Sequence, residues 1–323
     1  LILTKKIAFG MTSEADRGRP EPLRKLTPWE YLALGVGILA AHLASHYNYL
    51  LFHTLVEFFS ICIALAIFAI ARNSQDISHN NYITIIGYAY LFVGCLDAMH
   101  ALSYRGMPFF NDYDYYAPQF YISARYLESA CMLLGFIYMD SQKPINTAAL
   151  FSVLSIVTFG IILSIVYFQS FPACFISGKG LTPFKIGSEY VIIALLSACL
   201  VQIHKKREQF ASNVFNLLRS SIALMIVMEI CFTFYNTDEM SDAFNEIGHI
   251  IKICAFYMLY KAIVVSNLRN PLMLVSRELR DSEEKFRKAF ASSPIGFATV
   301  DDARRIVDAN ATFCQLTGYD LGR

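Results

Sequence analysis

The sequence predicts an all-α polytopic membrane protein: a bundle of eight transmembrane helices, followed by a helical, coiled-coil linker and a short α+β segment. Three observations lead there. Of the 323 residues, 55% are hydrophobic and only 16% charged, whereas charged residues make up roughly a quarter of soluble domains. Eight apolar windows approach the ~20 residues that a helix needs to cross a bilayer. Basic residues alternate from one connection to the next, as they do when no span has been missed or invented.

The windows fall at 29–47, 50–71, 82–104, 118–139, 148–169, 187–204, 214–236 and 243–265. Residues 1–28 carry Lys5, Lys6, Arg17, Arg19, Arg24 and Lys25 and are expected to stay cytoplasmic. Leu1 in place of Met predicts that the natural chain starts upstream. The connections on the same side hold Arg72, then Lys143, then Lys205, Lys206 and Arg207. On the other side the first hairpin, at Asn48, has no basic residue; "NDYDYYAP" holds Asp112 and Asp114, and "NTDEMSDAF" holds Asp238, Glu239 and Asp242. The connection "SGKGLTPFK", with Lys179 and Lys185, is the exception. Both termini are therefore predicted to be cytoplasmic. A net charge of +1 makes nucleic acid no evident partner. The eight cysteines form no C-x-x-C pair, and Cys62, Cys95, Cys131, Cys199, Cys231 and Cys254, inside apolar runs, read as small core residues.

Within the spans, ionisable residues gather at one end. At 1.5 Å per residue, His53 lies about 6 Å and Glu57 about 12 Å below the outer end of the second helix. Asp97 and His100 share a face at the outer end of the third. Arg125 and Glu128 follow on the fourth, Glu229 on the seventh, and Glu246, His249 and Lys252 form a stripe on the eighth; His42 and His46 occupy the outer end of the first. His46 and Glu246 are near enough to the surface to be solvated. Arg125 with Glu128 has the spacing of a structural ion pair, and Lys252 is expected to neutralise Glu128 or Glu229.

His53, Glu57, Asp97 and His100 stand out because adjacent helices each present an acid and a histidine at matching depth. Ionisable groups inside a membrane normally face a bundle interior and mark function. Imidazole and carboxylate on neighbouring bundle helices suit a divalent metal, Zn, Fe or Mn. Arg125, Glu128, Glu229 and His249 extend the site. A small-ligand pocket open to the periplasmic side and a proton-titrating cluster have the same residue types; axial haem ligation fits the carboxylate neighbours less well. The loop "FPACFISGKGLTPFKIGSEY" reads as an ordered segment folded over the outer mouth.

After the last span, Leu268, Leu272, Val275, Leu279, Ser282, Phe286 and Ala289 keep heptad steps, which predicts a dimeric coiled-coil linker over 266–290. "GFATVD" and "RRIVDAN" read as two strands joined by a turn. "SEEKFRKAFASSPIGFATVD" with "IVDANATFCQLTGYD" closely resembles the opening of a PAS domain, placing a partial one at 291–323. The region 29–265 resembles the third class of bacterial membrane-associated sensor (MASE) domains through "LFHTLVEFFSI", "LDAMHALSYRGMPFF", "SARYLESA" and "GLTPFKIGSEY". That resemblance implies a multi-pass sensory receptor of the bacterial inner membrane. It also implies a cytoplasmic output domain, a histidine kinase of a two-component system or a diguanylate cyclase, although no catalytic domain is recognisable in this chain. The expected partners are membrane lipid, a second copy of the chain and a metal ion or small ligand from the periplasmic side. An intramembrane metal- or redox-dependent enzyme and a transporter are the rival readings.

Overall fold

The computed structural model describes residues 28–75, 80–110, 115–141, 143–234, 242–265, 282–301 and 304–318. The upstream segment, most of the heptad seam (Leu268 to Leu279), and Asp112, Asp114, Asp238 and Glu239 lie outside the described residues. Contacts divide the chain into two units, 1–267 and 268–323.

Eight long helices fall on the eight apolar windows: α1 (Pro28–Tyr47), α2 (Tyr49–Ser74), α3 (Asn81–Leu102), α4 (Tyr116–Tyr138), α5 (Thr147–Ile162), α6 (Pro183–Lys205), α7 (Ser212–Phe234) and α8 (Ala243–Tyr260). Their starts are set by capping side chains. The Asn48, Asn80, Asn146, Thr182 and Asp242 side chains accept hydrogen bonds from free backbone N–H groups of the first turns, the orphan donors that a helix start leaves exposed. Pro183 opens α6 four residues before the apolar window, at a position where its missing N–H costs nothing. The ends of α5 and α8 relax into π-helical turns at 163–167 and 261–265.

Five of these segments are long and apolar enough to cross a membrane: α2, α3, α5 with its π turn, α6 and α7. α4 contains Arg125 and Glu128, and α8 contains Glu246 and Lys252; the charges that lower their apolarity lie in the helices themselves.

The helices close a ring. α2 packs on α3, α3 on α4, α4 on α6, α6 on α7, α7 on α8, and α8 back on α2. α1 lies outside, against α2 and α8, and α5 outside, against α3. Small residues set the closest crossing. A Cβ on Gly87 would stand 2.0 Å from the Ala71 Cβ, and one on Gly94 would stand 3.2 Å from that of Ala64. The two contacts are seven residues apart along each of the two antiparallel helices.

Cys62 and Cys95, expected in the core, are exposed, whereas Cys131, Cys199 and Cys231 are buried and Cys254 is half-buried. A helix that is apolar on every side gives no clue to which side faces its neighbours. Lys185, counted above as a loop charge, is buried in α6 and paired with Glu189. Only Lys179 then remains as a basic residue of that connection. The connection itself is ordered: Phe175–Ile176 and Gly180–Leu181 (β1 and β2) pair across a turn in which Gly178 and Gly180 take positive φ, which glycine adopts at little cost. Gln119 Nε2 donates to the carbonyls of Phe171 and Pro172, at 3.1 and 3.2 Å, so the loop is fastened to the first turn of α4. At the opposite end of the bundle, Asp140 accepts hydrogen bonds from Lys206 and Gln209, which hold its carboxyl below the usual range.

In the second unit a helix over 282–292 (α9) precedes β3 (Ala298–Val300), β4 (Ile306–Ala309) and α10 (Ala311–Thr317). The strands are antiparallel, a hairpin of the two segments that the sequence reads as strands joined by a turn. Asn310 ties the elements together. Its amide donates to the carbonyls of Phe290 and Ile295, and its oxygen accepts from Phe297 N and Phe313 N, all at 2.8–2.9 Å.

Candidate functional site

Each of the six ring helices contributes a buried charged residue: Glu57 from α2, Asp97 from α3, Arg125 and Glu128 from α4, Lys185 and Glu189 from α6, Glu229 from α7 and Lys252 from α8. Neither α1 nor α5 contributes one. His53, His100 and His249 are buried with them.

The histidines meet at the end of the ring that carries Asn48. His53 Nε2 and His100 Nε2 stand 3.1 Å apart. His249 Nε2 lies 3.4 Å and His100 Nε2 3.9 Å from Glu57 Oε1. One ligand atom from each of His53, Glu57, His100 and His249 falls within 4.8 Å of all the others. A tetrahedral site with bonds of 2.0–2.1 Å separates its ligand atoms by about 3.3 Å, so only small inward shifts separate this set from a coordination sphere.

Backbone carbonyls fix the tautomers. His100 Nδ1 is 2.8 Å from Ala117 O and His249 Nδ1 is 2.7 Å from Asn245 O. A carbonyl only accepts, so each Nδ1 carries a proton, and each ring turns its Nε2 toward Glu57. This Nδ1–H···O=C support is the arrangement that orients metal-ligating histidines. His249 Nε2 and Glu57 Oε1 face each other at 3.4 Å. His53 stacks on Tyr104, with centroids 3.7 Å apart. Tyr104 in turn is hydrogen-bonded to Asn245, so its ring position is tied to α8.

Below the cluster runs a chain of alternating charge. Glu57 Oε2 accepts from Lys252 Nζ at 2.6 Å; Lys252 Nζ lies 3.8 Å from Asp97 Oδ1; Arg125 Nη2 donates to both oxygens of Asp97 at 2.7 and 2.8 Å. Arg125 Nη1 also pairs with Glu128, which accepts from the Tyr90 hydroxyl as well. Tyr121 forms the floor. Arg125, Lys185 and Lys252 lie 5.5, 5.1 and 5.8 Å from its ring centroid, within cation–π range, and its hydroxyl donates to Glu229 at 3.1 Å. Among the described residues, five buried carboxylates face three buried cations. That leaves an excess of two negative charges, which a low-dielectric interior does not hold without a counter-charge or protons.

Residues 44–271 match the membrane-associated sensor domain MASE3. The chain belongs to the MASE3 family. Residues 284–323 match a PAS domain, and a MASE3 sensor domain followed by a PAS domain is the make-up of a membrane signalling receptor. Neither a curated protein nor a solved structure matches the chain.

The MASE3 domain brings together three of the four residues that the sequence grouped as metal ligands, His53, Glu57 and His100. Asp97 stands one turn away and is taken up by Arg125; His249, expected at the margin, stands in its place. Lys252 neutralises Glu57, not Glu128 or Glu229. Arg125 and Glu128 form the anticipated ion pair, and Glu229 binds Tyr121 away from the histidines. Tyr90, Tyr104, Tyr121 and the Lys185–Glu189 pair were not singled out from the sequence. The last had a legible signal, a Lys and a Glu four apart at the start of an apolar helix; tyrosines inside apolar runs carry none.

Proposed function

We propose that this MASE3 domain is the input module of a receptor in the bacterial inner membrane, and that its stimulus is a divalent cation held by His53, Glu57, His100 and His249. All eight long helices then span the bilayer, with both termini cytoplasmic and the cluster just beneath the periplasmic surface. The observation that carries the reading is the convergence of three imidazole nitrogens and one carboxylate oxygen, two of the rings held by backbone carbonyls with their Nε2 atoms inward. The donor set of imidazoles and a carboxylate suits Zn²⁺, Fe²⁺ or Mn²⁺. With two Nε2 atoms 3.1 Å apart, there is no room for a porphyrin plane between them.

A cation at this point draws on α8 twice, through His249 and through Lys252, whose partner Glu57 becomes a ligand. Metal occupancy therefore favours one packing of α8 in the ring. A tenfold preference between two packings supplies about 1.4 kcal/mol. The shift passes along α8 toward the heptad segment, the PAS domain and an output domain of the histidine kinase or diguanylate cyclase type, in a homodimer. Elemental analysis of protein purified without chelators tests the reading. One divalent ion per chain is expected, and Glu57→Gln or His249→Ala weakens it by more than the roughly 10- to 100-fold typical of losing an outer-shell partner. Equal metal content in wild type and both variants overturns it. The approach of His249 Nε2 to Glu57 Oε1 at 3.4 Å favours one second reading, a shared proton; an output that follows pH unchanged in chelator would establish that reading instead.

A further inference from the structure

A second group of donors lies at the same end of the bundle, outside the ring. His42 and His46 are four residues apart on α1, so both rings leave the same helix face, and their centroids are 4.7 Å apart. Glu246, in the first turn of α8, meets them: His42 Nδ1 is 2.7 Å from Glu246 Oε1. One ligand atom from each of the three falls within 4.8 Å of the others. Histidines at i and i+4 on one helix face are a chelating pair for Zn²⁺, and a carboxylate from another helix completes three protein ligands.

We infer that His42, His46 and Glu246 form a second divalent-cation site, one that fastens α1 to α8. The mechanical setting gives such a fastening an effect. Ser45 is the one buried residue of α1; Leu34 and Ala41 pack against α2 and α8, and a cavity of about 410 Å³ between the three helices loosens that packing. Polar contacts to α8 and its π turn tie α1 down near both ends: Glu30 with Lys261 at 2.5 Å, and His42 with Glu246. Occupancy of the second site makes one of these two ties a coordination bond.

The two sites also meet on α8. Asn245 gives the carbonyl that orients His249, and its neighbour Glu246 is the ligand of the second site. Because protein leaves His42 and His46 uncovered at the outer end of α1, this site exchanges its ion more readily than the enclosed His53 cluster. The inference does not need the inner cluster to bind metal.

Titrating the whole chain in nanodiscs with Co²⁺, followed by its visible absorption and by displacement with Zn²⁺, tests it. Wild type is expected to take two ions of different affinity. His42→Ala with His46→Ala, both at exposed positions, removes the weaker event or weakens it at least about tenfold, while Glu57→Gln leaves that event intact. Zn²⁺ is expected to slow amide exchange in the last two turns of α1 in wild type and not in the double histidine variant. If the double variant binds as many ions as wild type with the same affinities, the second site is overturned. A single ion lost only in Glu57→Gln overturns it too and leaves the inner reading standing; a single ion lost only in the double variant establishes it and removes the inner one.

Discussion

Arg125 illustrates why the buried charges form one unit. Its guanidinium bridges Asp97 and Glu128 and packs between the rings of Tyr121 and Phe256, each 5.5 Å away. A planar fork holds fixed donors toward two carboxylates at once, a geometry that the compact Lys ammonium does not reproduce. Arg125→Ala strands two carboxylates in the ring, and loss of one partner from a buried ion pair costs about 3–5 kcal/mol. The expected outcome is a large drop in thermal unfolding temperature in detergent, with Arg125→Lys restoring only part of it. A melting temperature within a few degrees of wild type for Arg125→Ala would show that the network is hydrated, not sealed. The sequence announced that Arg125, Asp97 and the histidines were out of place in apolar runs, because each is costly there on its own. It did not announce which acid goes with which base. Asp97 and His249 exchanged places between expectation and structure because partner choice depends on rotation about the helix axes, and spacing along one helix does not fix that rotation.

Helix lengths and starts were legible for the same elementary reasons: apolar runs near bilayer length, with Asn, Thr or Asp caps just before them. Neighbourhood was not. That α8 closes the ring against α2, and so delivers His249 and Lys252 to Glu57, is a contact between segments nearly two hundred positions apart, and no local pattern encodes it. The α2–α3 crossing is read more easily afterwards. Gly87 and Gly94 face Ala71 and Ala64, letting the backbones approach closely, as small residues do between membrane helices. That approach sets the register bringing His53 against His100. Gly87→Val inserts a side chain whose first atom would already stand 2.0 Å from Ala71. It should cost about 1–3 kcal/mol as overpacking and, by separating α2 from α3, weaken metal binding although no ligand is touched. Gly35, with nothing within 4 Å of an added Cβ, provides the control: Gly35→Ala should leave both properties as in wild type. Equal binding by Gly87→Val and wild type would mean that the site does not depend on this crossing.

Across the whole chain, the order of a membrane sensor domain and a PAS domain was legible because their local motifs survive without any knowledge of packing. The family matches run over 44–271 and 284–323. Orientation rests on loop charge, and the fold sharpens that argument. With Lys185 drawn into α6 as the partner of Glu189, the connection before α6 retains Lys179, while the connection after α6 carries Lys205, Lys206 and Arg207. The basic residues on that side are then Lys179 and, between α3 and α4, Arg105, and in the proposed topology the positive-inside rule favours a cytoplasmic Lys205–Arg207 connection. Lys179 and Glu208 are both exposed and lie at opposite ends of α6, so cysteines there report on opposite sides of the bilayer. In a background with the exposed Cys62 and Cys95 changed to Ala, a membrane-impermeant maleimide should label Lys179→Cys in intact spheroplasts and Glu208→Cys only after lysis. The reverse pattern would move the histidine cluster to the cytoplasmic leaflet, where a metal or ligand arriving from the periplasm has no direct path to it; labelling of both positions from outside would mean that α6 does not cross the membrane at all.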